Sequence, residues 1–324
     1  MILHIASDNT KYIIYPFIDF VNQNFNKNEH FYILCSKDKD IKRFENAITK
    51  DIFTQTDFFI QQMKKADKII LHGFWYDKIF DIYFNFPEFF DKTIWRPWGG
   101  EYYYCNDVKC KEFIKKIKYI VHFMQEEYDL IKERFDNKGE FFELLSYEQF
   151  FDIFKFRNLC FESNFIQIGN SADPSNEHLI LLQKVKKSEN VLLPFVYGGD
   201  KNYRKKIIVK VKKEFPNNFI LLKPLNYVKY IKLLSKVKVG LFNHKRQQSL
   251  GNMIILLLLG KKIYLRNDIT SWFFFKRLGL EIFDISDEVD KNFSKMQAMK
   301  NIRILNKFFN KKRLLNDLDR IFKI

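Results

Sequence analysis

The sequence predicts a doubly wound α/β protein built of two similar halves. Three observations carry that expectation. Short apolar runs alternate with stretches of helical spacing along the chain, which is the pattern of βαβ units on a parallel sheet. Many runs close in turn residues, as at Gly73, at Gly99-Gly100 and at Gly198-Gly199. The alternation restarts near residue 160, with no Pro/Gly/Ser linker and no low-complexity segment. The expected domains are residues 1–160 and 161–324, with a cleft between them where strand ends face.

In order, Ile2-Leu3-His4-Ile5-Ala6 reads as the first strand, ending at Ser7-Asp8-Asn9-Thr10. Tyr12, Ile13, Phe17, Phe20 and Val21 repeat at helical spacing. Strands follow at residues 31–35 and at 68–73, closing in a glycine, then within 93–101, a strand with its C-terminal turn, and at 119–123, and residues 125–135 form a helix. In the second half the strands fall at 164–168, 191–197, 219–222, 237–242 and 262–265.

Composition narrows the classes. Apolar residues make up 47% and aromatics 18%, and no apolar run reaches the roughly 20 residues that span a bilayer. The longest, residues 253–259, fits a buried helix. The N-terminus has no basic region before its apolar start, so it does not read as a signal peptide, and a cytoplasmic protein is expected. Cys35, Cys105, Cys110 and Cys160 then read as free thiols, and no metal site is expected. The formal charge of +16 favours acidic partners such as anionic lipid, phosphorylated substrates or nucleic acid. The excess of Lys with Phe, Ile and Asn also fits the bias of an AT-rich genome. Residues 291–323 read as a basic amphipathic helical segment that packs on the protein or lies on a membrane surface.

Four polar stretches carry chemistry. In Gly169-Asn170-Ser171-Ala172-Asp173-Pro174-Ser175-Asn176-Glu177-His178, Asp173 suits an N-cap and Pro174 the first helical position. Unpaired amides at a helix start favour an anion, although a well-capped loop that binds nothing reads equally simply. In Trp95-Arg96-Pro97-Trp98-Gly99-Gly100-Glu101, the tryptophans form a sugar-stacking rim and Glu101 a general base; the alternative is two core tryptophans and a surface turn. Tyr197-Gly198-Gly199-Asp200 either admits a ligand to the backbone or is a plain turn. Residues 243–252 place Lys245, Arg246, Gln247, Gln248, Gly251 and Asn252 between a strand end and the buried helix, where cations neutralise phosphate and amides reach a base or sugar; a solvated loop is the plainer reading.

Together these runs, with Leu258-Leu259-Gly260-Lys261-Lys262-Ile263-Tyr264-Leu265-Arg266 and Leu278-Gly279-Leu280-Glu281-Ile282-Phe283, resemble the TDP-N-acetylfucosamine:lipid II N-acetylfucosaminyltransferase family, also called the 4-alpha-L-fucosyltransferase family. The matches run in order from about residue 90 to 285. Where the family turn carries an Ala-Asp pair, Gly100-Glu101 stands here, so the carboxylate is kept one methylene longer. The resemblance implies a GT-B architecture, with an N-terminal acceptor domain and a C-terminal donor domain. It implies transfer from a TDP-linked or other nucleotide-diphosphate sugar to a polyprenyl-diphosphate-linked saccharide, without a cofactor or bound metal. The setting would be surface-polysaccharide synthesis such as enterobacterial common antigen, at the inner face of the cytoplasmic membrane. On this reading Gly169, Asn170, Ser171, Asp173, Ser175, Asn176, Tyr197, Arg246, Gln247, Gln248, Gly251 and Asn252 hold the donor. Glu101 is the base and His178 a donor to phosphate or sugar oxygen, while Asp8, Trp95, Trp98 and Gly99 meet the acceptor. A second class, a non-catalytic basic protein that binds nucleic acid, would use the same lysines and aromatics, but no nucleic-acid-binding signature supports it.

Overall fold

The computed structural model describes residues 1–7, 11–36, 43–74, 76–145 and 164–324. They form two compact units, Met1–Glu148 with Lys311–Ile324, and Gln149–Asn310. The first holds β1 (Ile2–Ser7), β2 (His30–Cys35), β3 (Ala47–Lys50), β4 (Lys68–His72), β5 (Thr93–Arg96), β6 (Tyr119–His122) and β7 (Glu140–Glu143). They lie in the order β3-β2-β1-β4-β5-β6-β7, every pair parallel. The second holds β8 (Phe165–Ile168), β9 (Asn190–Pro194), β10 (Asn218–Leu221), β11 (Val237–Leu241), β12 (Lys262–Leu265) and β13 (Phe283–Asp284). Their order is β10-β9-β8-β11-β12-β13, again all parallel.

Both sheets are doubly wound. Each chain segment steps outward from its first strand and then returns to the other side, so strand order reverses between β1 and β4, and between β8 and β11. Ligands of such sheets bind at the carboxyl ends of the strands beside that reversal. Inner strands covered on both faces are almost wholly apolar, and all six residues of β1 are buried.

Aromatic abundance is spent in the first unit's core, where Phe59, Tyr83, Phe89, Trp95, Tyr102 and Phe113 are fully buried. In the second unit the helix Leu250–Leu258 is buried along nearly its whole length. The C-terminal segment divides. The helix Lys295–Phe308 lies in the second unit, whereas Lys311–Ile324, expected with the second domain, groups with the first. Its Leu314, Leu318 and Ile321 are buried there, and the Phe322 ring packs 4.5 Å from His30. Lys68 Nζ donates to the Phe322 carbonyl at 2.7 Å, and Arg313 pairs with Glu143 at 2.7 Å. The apolar face of this helix therefore rests on protein.

Cys105 and Cys110 are bonded to each other, which corrects the expectation of free thiols. The cause is local: Asp107 caps the helix Val108–Lys116 by accepting from the Cys110 amide at 2.8 Å, which turns Cys110 back towards Cys105. Cys35 is a buried free thiol, and Cys160 lies outside the described residues.

Candidate functional site

In the second unit, the two polar turns expected to hold a donor follow β8 and β11, the pair at the strand-order reversal. The Gly169 amide donates to the Leu241 carbonyl at 2.9 Å, so the turns begin side by side. Gly169 sits at φ +63°, and a Cβ there would stand 2.6 Å from Asn176 Oδ1. The space is filled because Asn176 is the turn's internal brace. Its Oδ1 accepts the Asn170 amide at 3.1 Å, and its Nδ2 donates to Ser171 Oγ and to the Asp173 carbonyl. Asn176 and Ser171 are fully buried, so both shape the turn from within.

The helix expected from Pro174 onward is broken. Asp173 caps only a single 3-10 turn, Pro174–Asn176, by accepting from the Ser175 amide at 2.9 Å. Glu177 then adopts a left-handed conformation, and the helix His178–Gln183 starts after it. His178 is fully buried and both its ring nitrogens are engaged, Nδ1 with the Tyr203 hydroxyl at 2.8 Å and Nε2 with the Ser171 carbonyl at 2.9 Å. Burial drives its pKa down to about 4, against the pull of the Ser171 carbonyl and Asp173. A neutral ring fits these bonds, with Nε2–H donating and Nδ1 accepting. His178 therefore braces the turn, and the role of donor to a phosphate or sugar oxygen expected for it is replaced.

The glycine pair after β9 admits protein rather than ligand. A Cβ on Gly199 would stand 2.3 Å from the Ala172 carbonyl oxygen, and the Ala172 amide donates to the Tyr197 carbonyl at 2.8 Å. Tyr197 keeps 59% of its surface exposed while its hydroxyl accepts from Asn170 Nδ2 at 3.0 Å.

The turn after β11 closes the site. Ser175 Oγ donates to Gln248 Oε1 at 2.9 Å, and Gln248 Nε2 donates to Asn170 Oδ1 at 3.3 Å. Asn243 Nδ2 donates to Glu177 Oε2, which also lies 3.5 Å from Lys245 Nζ through its other oxygen. Arg246 is half-buried and donates to the Gln247 carbonyl at 3.0 Å. Gln247 is buried, and Gly251 and Asn252 lie in the first turn of the helix Leu250–Leu258, Asn252 accepting from the Tyr230 hydroxyl.

Two residues of this turn escaped the sequence reading. His244 is fully buried, and among the described residues neither ring nitrogen has a hydrogen-bond partner. Burial and the neighbouring Arg246 push its pKa down to about 3; the Gln248 backbone, near the ring without closing a hydrogen bond, opposes this, and Arg266 adds to it. Ser249, at φ +63°, precedes the buried helix without capping it, and its buried hydroxyl likewise lacks a partner. Unsatisfied buried polar atoms are rare in folded proteins, and beside an arginine at a helix start they mark a candidate place for a polar ligand. A serine directly before a buried helix carries no sign in the sequence that its hydroxyl stays unpaired.

In the first unit, Arg96, Trp98, Gly99 and Glu101 gather at the carboxyl end of β5. Trp95 is fully buried against Phe74 and Tyr102, so it belongs to the core and does not form the expected rim. The half-buried Trp98 lies 5.7 Å from the Arg96 guanidinium, which also covers the Phe17 ring at 4.8 Å. Gly99 adopts φ +111° and opens the short helix Gly100–Tyr103. Glu101 Oε1 accepts from the Trp98 amide at 2.6 Å, and Oε2 is buried without a hydrogen-bond partner among the described residues. Burial raises the Glu101 pKa to about 7, against the amides of Trp98, Glu101 and Gly99 and the Trp95 indole, which lies near without closing a hydrogen bond. A carboxylate poised near neutrality suits a general base. Asp8 lies outside the described residues. Among the described residues no cluster of His, Cys, Asp and Glu is able to hold a metal ion.

Two doubly wound parallel sheets give the chain the GT-B architecture, and the family match assigns the class of glycosyltransferase. Residues 151–310 match the family described as 4-alpha-L-fucosyltransferase glycosyl transferase group 56, the family the motifs resemble. No curated protein matches the chain in a sequence comparison. Among solved structures, the chain is similar to a glycosyltransferase from Rickettsia africae, with 11% identity, 99% of this chain and 97% of that one covered, and a TM-score of 0.71. HepE from Anabaena, solved with UDP and glucose, aligns at 11% identity, 99% coverage of both chains and a TM-score of 0.71. Sucrose-phosphate synthase from Thermosynechococcus elongatus aligns at 11% identity, 100% and 98% coverage, and a TM-score of 0.72. At these identities the likeness concerns the fold.

Proposed function

We propose that the chain moves a sugar from a TDP-linked or other nucleotide-diphosphate donor to a lipid-linked saccharide in bacterial surface-polysaccharide synthesis. The observation that carries this reading is the joining of the turns after β8 and β11, through Ser175, Gln248 and Asn170, beside Arg246 and the start of the helix Leu250–Leu258. That helix is long enough for its free amides and dipole to favour a diphosphate. Arg246 neutralises charge that builds on the leaving phosphate as the bond to the anomeric carbon breaks. His244 and Ser249 supply further polar atoms, and the exposed Tyr197 ring offers a surface for the base.

In the acceptor half, Glu101 takes the proton of the acceptor hydroxyl while that oxygen bonds to the anomeric carbon. The nucleotide diphosphate leaves with the electron pair of the broken bond. We extend the proposal to a pathway such as that of enterobacterial common antigen, on the anionic inner membrane surface; the match to a fucosyltransferase family supports the transfer step of that reading. No helix among the described residues is long and apolar enough to cross a membrane. Incubation with a panel of nucleotide sugars, with and without lipid-linked saccharides, tests the reading. Release of the nucleotide diphosphate that depends on one donor and rises with acceptor supports it. Release from none of them overturns it.

A further inference from the structure

We infer that Glu127, with Tyr102 and Tyr103, is a positioning device that keeps the Glu101 carboxylate in its buried place. The inference rests on the reading of Glu101 as the base. Glu101 sits on a helix of only four residues, Gly100–Tyr103, entered through a glycine at positive φ. So short a helix has one turn of internal bonding and cannot fix its own orientation. Something outside must hold it.

The helix Gln125–Phe135 does so from behind. Glu127 is fully buried, a costly place for a carboxylate unless hydrogen bonds satisfy it. Its Oε2 accepts from the Tyr102 hydroxyl and its Oε1 from the Tyr103 hydroxyl at 3.0 Å. Seven residues on, at the same angle round the helix, Arg134 donates to the Tyr103 carbonyl at 3.1 Å and to the Cys105 carbonyl at 3.2 Å. Two side chains of one helix face thus grip two consecutive tyrosines and the exit of the turn that bears Glu101. The Cys105–Cys110 bond ties the same exit to the next helix.

Tyr102 is adjacent to Glu101 in sequence and feels the charges of Glu127, Tyr103 and Glu101. The groups acting on Glu101 itself are neutral: burial, the amides of Trp98, Glu101 and Gly99, and the Trp95 indole. Its raised pKa therefore depends on staying buried. Freeing the turn hydrates the carboxylate and moves its titration towards the ordinary range.

The test measures transfer against pH for the wild type, Glu127→Leu, Glu127→Gln, Tyr102→Phe and Glu101→Gln. Glu127→Leu is expected to lower kcat about tenfold or more while donor KM stays within about twofold, because the reacting group is misplaced and the donor site is not. Its acidic limb should shift to lower pH by roughly half a unit or more. Glu127→Gln keeps an acceptor oxygen and should recover part of the rate. Tyr102→Phe, a milder change that folds where Glu127→Leu does not, should reproduce the shift in smaller degree. An acidic limb that stays in place in both Glu127→Leu and Tyr102→Phe overturns the inference even if rates fall. Full activity in Glu101→Gln overturns the base reading itself, and the inference with it.

Discussion

The Ser175 hydroxyl donates to the Gln248 side-chain oxygen at 2.9 Å, joining two turns 73 residues apart. Those turns follow β8 and β11, neighbouring strands at the reversal of strand order. Gln248 also reaches Asn170, whose amide nitrogen holds the Tyr197 hydroxyl, so one chain of bonds runs across the mouth of the sheet. Gln248→Ala should weaken nucleotide-diphosphate binding about three- to tenfold, the worth of one or two neutral hydrogen bonds. Titration calorimetry with UDP and TDP reads this directly.

The close approach of the Gly199 backbone to the Ala172 carbonyl should make Gly199→Ala destabilising. The added Cβ meets that oxygen at 2.3 Å, on a backbone already at φ +65°. Strain of this kind costs about 1–3 kcal/mol. The melting temperature of the variant should drop by several degrees, and a nucleotide present in excess should restore only part of the loss.

As the proposed base, Glu101 should link activity and stability to pH in opposite senses. Its folded pKa of about 7 stands above the ordinary carboxylate value of 4.5. The active base is the ionised form, so kcat/KM should rise with pH and level off above about 7. Folding favours the protonated form, so the stabilisation is complete below the ordinary pKa and is lost as pH rises through about 7. Glu101→Gln should therefore lower transfer by about 10²–10⁴-fold while melting at or above the wild-type temperature at alkaline pH.

Acid should unfold the protein through its histidines. All six are buried, and His30, His122 and His178 are each held down to about 4 with burial as the first cause. Burial likewise holds His4 and His72 well below the ordinary value, in a row where His4 bonds His72 and His30 at 3.0 Å each. A depressed folded pKa means that the unfolded chain takes up protons first. Stability is then full above pH 6.5 and falls as pH drops towards 4. Melting curves between these limits should show a steep decline, and a flat profile would contradict the buried row.

Much of the fold was legible because inner parallel strands are apolar on both faces. The strands missed were β3, β7 and β13: all three are edges, and Glu140 and Glu143 bracket the Phe pair of β7 with charge. The helix Lys311–Lys323 had a readable amphipathic pattern, but a pattern gives a face and not the partner that covers it. Trp95 and His178 were misread for a related reason. Their residue types suit ligands, and only packing reveals that Trp95 fills the core and that His178 is spent on Ser171 and Tyr203. Glu127 gave no local signal, because its partners lie 24 and 25 residues away.

The most direct measurement is the affinity of UDP and TDP for the wild type, Arg246→Ala and Glu101→Gln, with a single-stranded oligonucleotide as control. A nucleotide-diphosphate site on the second unit predicts saturable binding to the wild type. It also predicts a loss of about tenfold to a hundredfold in Arg246→Ala, the range of a charge-assisted hydrogen bond, and unchanged affinity in Glu101→Gln. Equal nucleotide affinity in wild type and Arg246→Ala, or tight binding of the oligonucleotide alone, would contradict it.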